Sequence, residues 1–217
     1  MEAKRTAMVG GSFDPVHRGH LHLIHTVLTR TDFRRFVFVP VAVNNFKREH
    51  VPAPAVDRLS MLRLAVAAYP VLYPDDPERE IIVDDCEIRR GGVSYTVDTA
   101  KDLSNRYPLL GRLGVVLGDD LLSGLEGWRA YRTLRDLVTF VVIRRSPRGV
   151  VFPTDGKADV RFVGGDVYHD SSSEIRDELA ALASGEPMPP SVRSMMVKEV
   201  ADYVETHRLY RVTDGNL

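Results

Sequence analysis

Four of the chain's seven histidines crowd between His17 and His25, in the stretch GGSFDPVHRGHLHLIH that starts at Gly10. Imidazoles in such numbers could ligate a metal, shuttle protons or meet phosphate. Spacing separates them. At about 100° per residue, Leu21, Ile24, Val27 and Leu28 share one helix face. His17 and His20 project nearly the same way, but from the first turn, and three apart they are neighbours on the helix surface. His22 and His25 fall at or beyond the edge of the apolar stripe and are expected to be solvated or peripheral. Metal ligation by His17 and His20 would need partners, and neither a cysteine nor an acidic cluster stands nearby. Gly10 and Gly11 precede them, allowing a tight turn and close approach of backbone to a ligand. A helix start presents unpaired N–H groups and the positive end of a dipole. Phosphate contact is therefore the favoured chemistry.

Other residues invite the same question. Ser171-Ser172-Ser173-Glu174-Ile175-Arg176 reads as a second helix start, with hydroxyls and an arginine one turn in. It could hold phosphate oxygens, Arg176 through charge-assisted bonds; it reads equally as an ordinary cap beside a surface arginine. Lys47 stands in a polar loop, Ser94-Tyr95-Thr96 opens a helix, and Gly118-Asp119-Asp120 ends an apolar run. Trp128 is the sole tryptophan.

The elements that must position these residues alternate. TAMVG, FVFVPV, IIVDDCEI, RLGVVLG, LVTFVVIRR and RFVGG read as strands. HRGHLHLIHTVLTR, VDRLSMLRLAVAAY, SYTVDTAKDLSNRY, SSSEIRDELAAL and PSVRSMMVKEVADYVETHRLY read as helices, with PVLYPDDPERE turn-rich and a short helical segment before the fifth strand. Alternation predicts an α/β fold: a Rossmann-like, mostly parallel sheet with helices on both faces. Ligands of such sheets bind at the carboxyl ends of the strands. Nothing resembling a linker divides the 217 residues, so residues 1–217 are expected to form one domain, with a C-terminal helical part at about 171–210.

Bulk properties exclude several classes. Hydrophobic residues make up 44%, enough for a packed core. The formal net charge is −1, without a basic block, which argues against nucleic acid as a partner. No apolar run could span a bilayer and the N-terminus is not a signal peptide, so no membrane partner is expected. Cys86 is the only cysteine; a disulfide framework is thereby excluded, and a cytoplasmic location is favoured.

Gly10-Gly11-Ser12-Phe13-Asp14-Pro15-Val16-His17-Arg18-Gly19-His20 resembles the GxFDPxHxGH loop of a nucleotidyltransferase superfamily. Residues 171–176 resemble its ISSTxIR motif, with Asp170 where isoleucine is usual and Ser173 for threonine. Within the superfamily the chain is most similar to the bacterial nicotinate-nucleotide adenylyltransferases. Lys47 matches the lysine of a PxxxPPHK loop, although Asn44, Asn45 and Phe46 replace its Pro-Pro-His part. Ser94–Thr99 matches SYTxxT, and Gly118-Asp119-Asp120 matches GxD with Asp120 as the aligned acid. The resemblance runs from about Arg5 to Tyr210.

It implies adenylyl transfer from ATP to nicotinate mononucleotide, with Mg²⁺ arriving on the ATP and no protein metal ligands. Catalytic roles are implied for His17, His20 and Arg176. ATP contacts are implied for Gly10, Gly11, Ser12, Phe13, Gly19, Lys47, Gly118, Asp120, Ser171, Ser172 and Ser173, together with the catalytic three. Ser12, Lys47, Tyr95, Thr96 and Trp128 are implied for the mononucleotide, Trp128 by stacking on the pyridine ring. Loops 41–55 and 124–131 are expected to close on substrate, and a homo-oligomer is compatible with the chain. Two alternatives stand beside this: another phosphorylated acceptor such as nicotinamide mononucleotide, or a nucleotide-binding regulator without catalysis.

Overall fold

A computed structural model of the chain describes residues 1–42, 51–144, 156–165, 170–183 and 185–211. Six strands form one sheet: β1 (Thr6–Gly11), β2 (Arg35–Pro40), β3 (Glu80–Val83), β4 (Leu113–Gly118), β5 (Val138–Ile143) and β6 (Asp159–Val163). Their order is β3-β2-β1-β4-β5-β6, and every pairing is parallel. This is the doubly wound order, with its reversal between β1 and β4. Val9 pairs with Val116 there, so Gly11 and Gly118, two residues further along each strand, end at the same edge.

Apolar residues cover both faces because successive strand side chains point oppositely. Ala7, Val9, Phe36, Phe38, Val116 and Val141 face one core; Met8, Val37, Val39, Val115, Leu117 and Phe140 face the other. Against the first face pack helices α1 (Arg18–Arg30), α2 (Ala55–Leu72), α6 (Ser172–Ala180), α7 (Pro190–Ser194) and α8 (Lys198–Thr206). The second is covered by α3 (Cys86–Arg90), α4 (Thr96–Arg106), a 3₁₀ stretch Asp119–Gly127 and α5 (Tyr131–Leu137). Leu21, Ile24, Val27 and Leu28 of α1 are all buried, as their spacing predicts. Gly114 is required by close packing: a Cβ there would meet the Phe33 ring at 2.8 Å. Among the described residues no helix is long and apolar enough to cross a membrane.

Three segments depart from the sequence reading. IIVDDCEI is not one strand; β3 stops at Val83 and α3 begins at Cys86. Asp84 causes the break, since its Oδ1 accepts the Cys86 N–H at 3.0 Å and turns the chain. The turn-rich PVLY instead continues α2 to Leu72 through Pro70. Pro70 falls in the last turn, and the wholly buried Tyr69 anchors that turn to the core. The expected single terminal helix is two, α7 and α8, parted at Met195–Val197. The carbonyls of Met195 and Met196 there accept the Arg18 N–H at 2.8 Å and the Arg18 Nε at 3.1 Å. Bonds to the start of α1 replace those a continuous helix would make.

Asp84 also fixes the far end of α4. Its Oδ2 accepts Arg106 Nη1 and the Tyr107 hydroxyl, both at 2.8 Å, with its side chain 4% exposed. Burial pushes the carboxyl up, but the bonds from Arg106 and Tyr107 together outweigh it and hold Asp84 below the usual carboxylate range. The Cys86 thiol beside it is pushed up to about 12, by burial first and Asp84 second, so it stays protonated. A depressed carboxyl stabilises the fold above its unfolded value and loses that contribution as pH falls through the folded one. Asp84→Asn is therefore expected to lower stability by about 1–3 kcal/mol at neutral pH. Urea unfolding at stepped pH checks this: the gap to wild type should shrink below about pH 4.

Candidate active site

In a sheet whose strands all run one way, every strand opens its following loop at one edge. The loop after β1 carries Ser12 to His17; that after β4 starts with Asp119; α4, α5 and α6 start at this edge as well. Gly11 ends β1 under the Phe13 ring, where a Cβ would lie 3.0 Å from Phe13 Cζ. Phe13 has φ 49° and is 1% exposed. Its ring meets Phe38 edge-on at 5.2 Å and His20 at 5.0 Å, forming an apolar floor beneath the histidine.

His17 is the N-cap residue of α1 and His20 lies three residues on. The His17 N–H donates to His20 Nδ1 at 3.2 Å, and the His20 N–H to the His17 carbonyl at 3.0 Å. Their rings lie 3.9 Å apart. Because Nδ1 of His20 accepts, the neutral ring carries its proton on Nε2, a donor directed away from its own backbone. The bond orients the His20 ring at the helix start.

The second serine-rich helix start docks onto this loop. Ser171 caps α6 by accepting the Glu174 N–H at 3.1 Å, as its position in the sequence predicts. Ser172 Oγ donates to the Pro15 carbonyl at 2.9 Å. Arg176 Nη1 donates to the Asp14 carbonyl at 2.6 Å, and its Nη2 to Ser173 Oγ at 3.2 Å. The two motifs, about 160 residues apart, thus share direct bonds. Nothing in the structure explains the choice of aspartate at position 170.

On the other face of the sheet, Tyr95 and Trp128 are half-buried against the same apolar cluster, and Thr96 opens α4. α4 has no side-chain cap at Tyr95, contrary to the Ser/Thr start its sequence predicts. The Arg129 guanidinium stacks over the Tyr95 ring at 4.3 Å, bringing the Trp128 segment against that helix start. Gly118 is buried where β4 ends, and Asp120 is exposed one residue past the buried Asp119. Gly10 is exposed, while Ser12 and Gly19 are half-buried. Lys47 lies outside the described residues, as do Asn44, Asn45 and Phe46 and much of loop 41–55.

His22 and His25 are not simply solvated. His25 Nδ1 pairs with Asp76 Oδ1 at 2.8 Å and stacks on Tyr73 at 4.3 Å; His22 Nδ1 meets the Tyr73 hydroxyl at 3.3 Å. The end of α2 and the turn after it cover the side of α1 expected to face water. These histidines join helices.

Sequence reasoning missed two organisers. Arg58 is 2% exposed and donates to the carbonyls of Ser12 and Val41 at 2.9 Å and of Ala53 at 3.1 Å. Burial lowers its pKa, and the nearby Asp14 and Tyr210 partly offset this. Asp14 is 1% exposed; its Oδ1 accepts the Ala53 N–H at 3.0 Å and the Tyr210 hydroxyl at 2.9 Å. An arginine on an amphipathic helix gives no sequence signal of burial; only an apolar neighbourhood at Met61, Leu62 and Ala65 hints at it. Arg58→Met is expected to leave three inner carbonyls without their donor and to cost about 3–5 kcal/mol, read by urea unfolding.

The cytidylyltransferase-like family matches residues 8–178 of the chain. A protein of Treponema pallidum named a probable nicotinate-nucleotide adenylyltransferase is 39% identical over 140 residues; the match spans just under two thirds of each chain (64%). A relative of the same name from Neisseria meningitidis serogroup C is 30% identical over 95% of this chain and 98% of its own. In fold the chain is similar to the nicotinic acid mononucleotide adenylyltransferase of Plasmodium falciparum complexed with NaAD, with a TM-score of 0.68, 19% identity, and coverage of 95% of this chain and 97% of that one.

Proposed function

The chain belongs to the nicotinate-nucleotide adenylyltransferases within the cytidylyltransferase-like family, and from that premise we propose that it transfers the adenylyl group of ATP to nicotinate mononucleotide, giving nicotinate adenine dinucleotide and pyrophosphate in NAD biosynthesis. One observation carries the chemistry: the paired His17 and His20 at the start of α1, beside the strand-order reversal, with the His17 N–H donating to His20 Nδ1. Residues 1–217 act as a single domain in this reading, working in the cytoplasm.

The reaction is an in-line displacement. A 5′-phosphate oxygen of the mononucleotide attacks the α-phosphorus of ATP, that P–O bond forms, and the bond to the β-phosphate oxygen breaks with pyrophosphate leaving. The attacking phosphate is already ionised near neutral pH, so no strong base is needed. Catalysis is positioning and charge stabilisation. His17, His20, Arg176 and Lys47 meet the triphosphate, with Gly10, Gly11, Ser12, Phe13 and Gly19 giving it room and backbone donors at the loop. Gly118 and Asp120 border the nucleotide from β4, and Ser171, Ser172 and Ser173 border it from the start of α6. Their hydroxyl bonds to Glu174, Pro15 and Arg176 support that role by fixing α6 and its guanidinium against the loop.

Among the described residues no group of three or more His, Cys, Asp or Glu side chains could hold a metal ion. In this reading a divalent ion arrives on the nucleotide. Mg²⁺ would keep its phosphate and water ligands and neutralise charge on the triphosphate. The mononucleotide lies with its pyridine ring against Trp128 and Tyr95, and Ser12 and Lys47 reach its phosphate. In this reading backbone N–H groups around Thr96 meet the ring's carboxylate, and Arg129, stacked over Tyr95, adds positive charge nearby, which favours the acid over the amide.

His20→Ala should lower turnover about 10²–10³-fold while ATP affinity changes little, because the contact tightens as charge builds. Stopped turnovers and nucleotide titrations separate the two; equal losses would contradict the role. Trp128→Ala should weaken mononucleotide binding about tenfold or more and spare ATP. Calorimetry with each ligand checks it. Pyrophosphate release with ATP and either the acid or the amide mononucleotide tests the whole reading: release with neither, despite ATP binding, would make the protein a regulator instead.

A further inference from the structure

The Tyr210 hydroxyl crosses 196 residues of sequence to reach Asp14 Oδ1. Asp14 is a hub. Its Oδ1 also accepts the Ala53 N–H, its Oδ2 lies 3.9 Å from Arg176 Nη1, and its carbonyl accepts that same Nη1 at 2.6 Å. The backbone around the hub is strained. Four non-glycine residues have positive φ among the described residues, and two of them belong here: Phe13 (49°) and Tyr210 (66°). Such conformations cost about 1–3 kcal/mol each and persist where the surroundings impose them. Tyr210 packs against the same core as Val200, Ala201 and Val204 of α8. It also supplies a hydroxyl to the Asp14 carboxylate inside the loop. Burial first, then Asp14, pushes this hydroxyl far above the ordinary phenol range, so it remains a donor at any working pH.

We infer that Tyr210 is a positioning residue for adenylyl transfer: by holding Asp14 Oδ1, its hydroxyl limits the Asp14 carboxylate to a long ion pair with Arg176, at 3.9 Å, and fixes the loop that leads to His17. This rests on the reading of Arg176 and His17 as phosphate ligands. Without the hydroxyl, the carboxylate closes that ion pair and draws the guanidinium, already bonded to the Asp14 carbonyl, further from the phosphates. The loss would appear when charge develops on the leaving group, and so in turnover rather than in ATP binding.

The test is Tyr210→Phe, which deletes one oxygen, measured in the full chain by pyrophosphate release and urea unfolding. The expected result is a fall in kcat of about tenfold per folded molecule with KM for ATP held within about twofold. A drop in stability with kcat unchanged would reduce Tyr210 to a fastening and overturn the inference. Asp14→Asn closes a cycle. If the hydroxyl acts through Asp14, the double variant should lose no more kcat than Asp14→Asn alone; multiplied losses would overturn that route. Should Tyr210→Phe fail to fold, Asp14→Asn alone must still lose kcat with KM for ATP held, and an unchanged kcat overturns the inference. Amide exchange of residues 14–20 without nucleotide keeps the outcome separate from the identity of the reaction. Faster exchange in Tyr210→Phe is expected even if wild type released no pyrophosphate, and unchanged exchange overturns the proposal.

Discussion

A sheet of parallel strands has a direction, and that constraint organises everything functional here. Each strand ends at the same edge, so six chain excursions open side by side. The reversal of order between β1 and β4 keeps their two excursions apart, since one turns towards each face. A cleft results without any residue being spent on making it. Helix starts line this edge because each helix must run back to begin the next strand. The site inherits backbone N–H groups and positive dipole ends from topology alone, before any side chain contributes.

Side chains then refine what topology offers. His20 is prepared from two sides: Phe13 packs beneath its ring, and the His17 N–H fixes which nitrogen bears the proton. Neither contact involves substrate. On the proposed assignment of these residues the site is largely arranged in advance, which is how a phosphoryl-transfer site gains rate by positioning. The same economy appears at Arg176, whose guanidinium is already bound at Asp14 and Ser173 before any phosphate arrives.

What could be read from the sequence followed its local patterns. The alternation of elements, the apolar stripe Leu21–Leu28 and the cap at Ser171 rest on neighbours within a few residues, and the structure agrees with them. The pairing of the histidine loop with Ser171–Arg176 was legible only through resemblance, because no local rule joins residues about 160 apart. The failures share a cause. His22 and His25 are expected to be solvated or peripheral, and the sequence cannot say that the end of α2 comes to lie against them. The terminal helix was read as continuous because its break comes from Arg18, at the other end of the chain. Arg58 gives no local signal because burial of an arginine is decided by three distant carbonyls. Periodicity sees faces; it does not see what comes to lie against them.

The bonds from Arg18 to the carbonyls of Met195 and Met196 have a consequence in time. A ribosome adds residues at about 5–20 per second, so roughly ten to thirty-five seconds separate the emergence of Arg18 from that of its partners. Through that interval β1 and α1 can form, yet the turn between them lacks the segment that clasps it. Assembly of the nucleotide cleft is therefore a late event in biogenesis. A nascent chain stalled before α7 would display a histidine-bearing loop without the clasp that sets its shape, and quality-control machinery would meet it in that state.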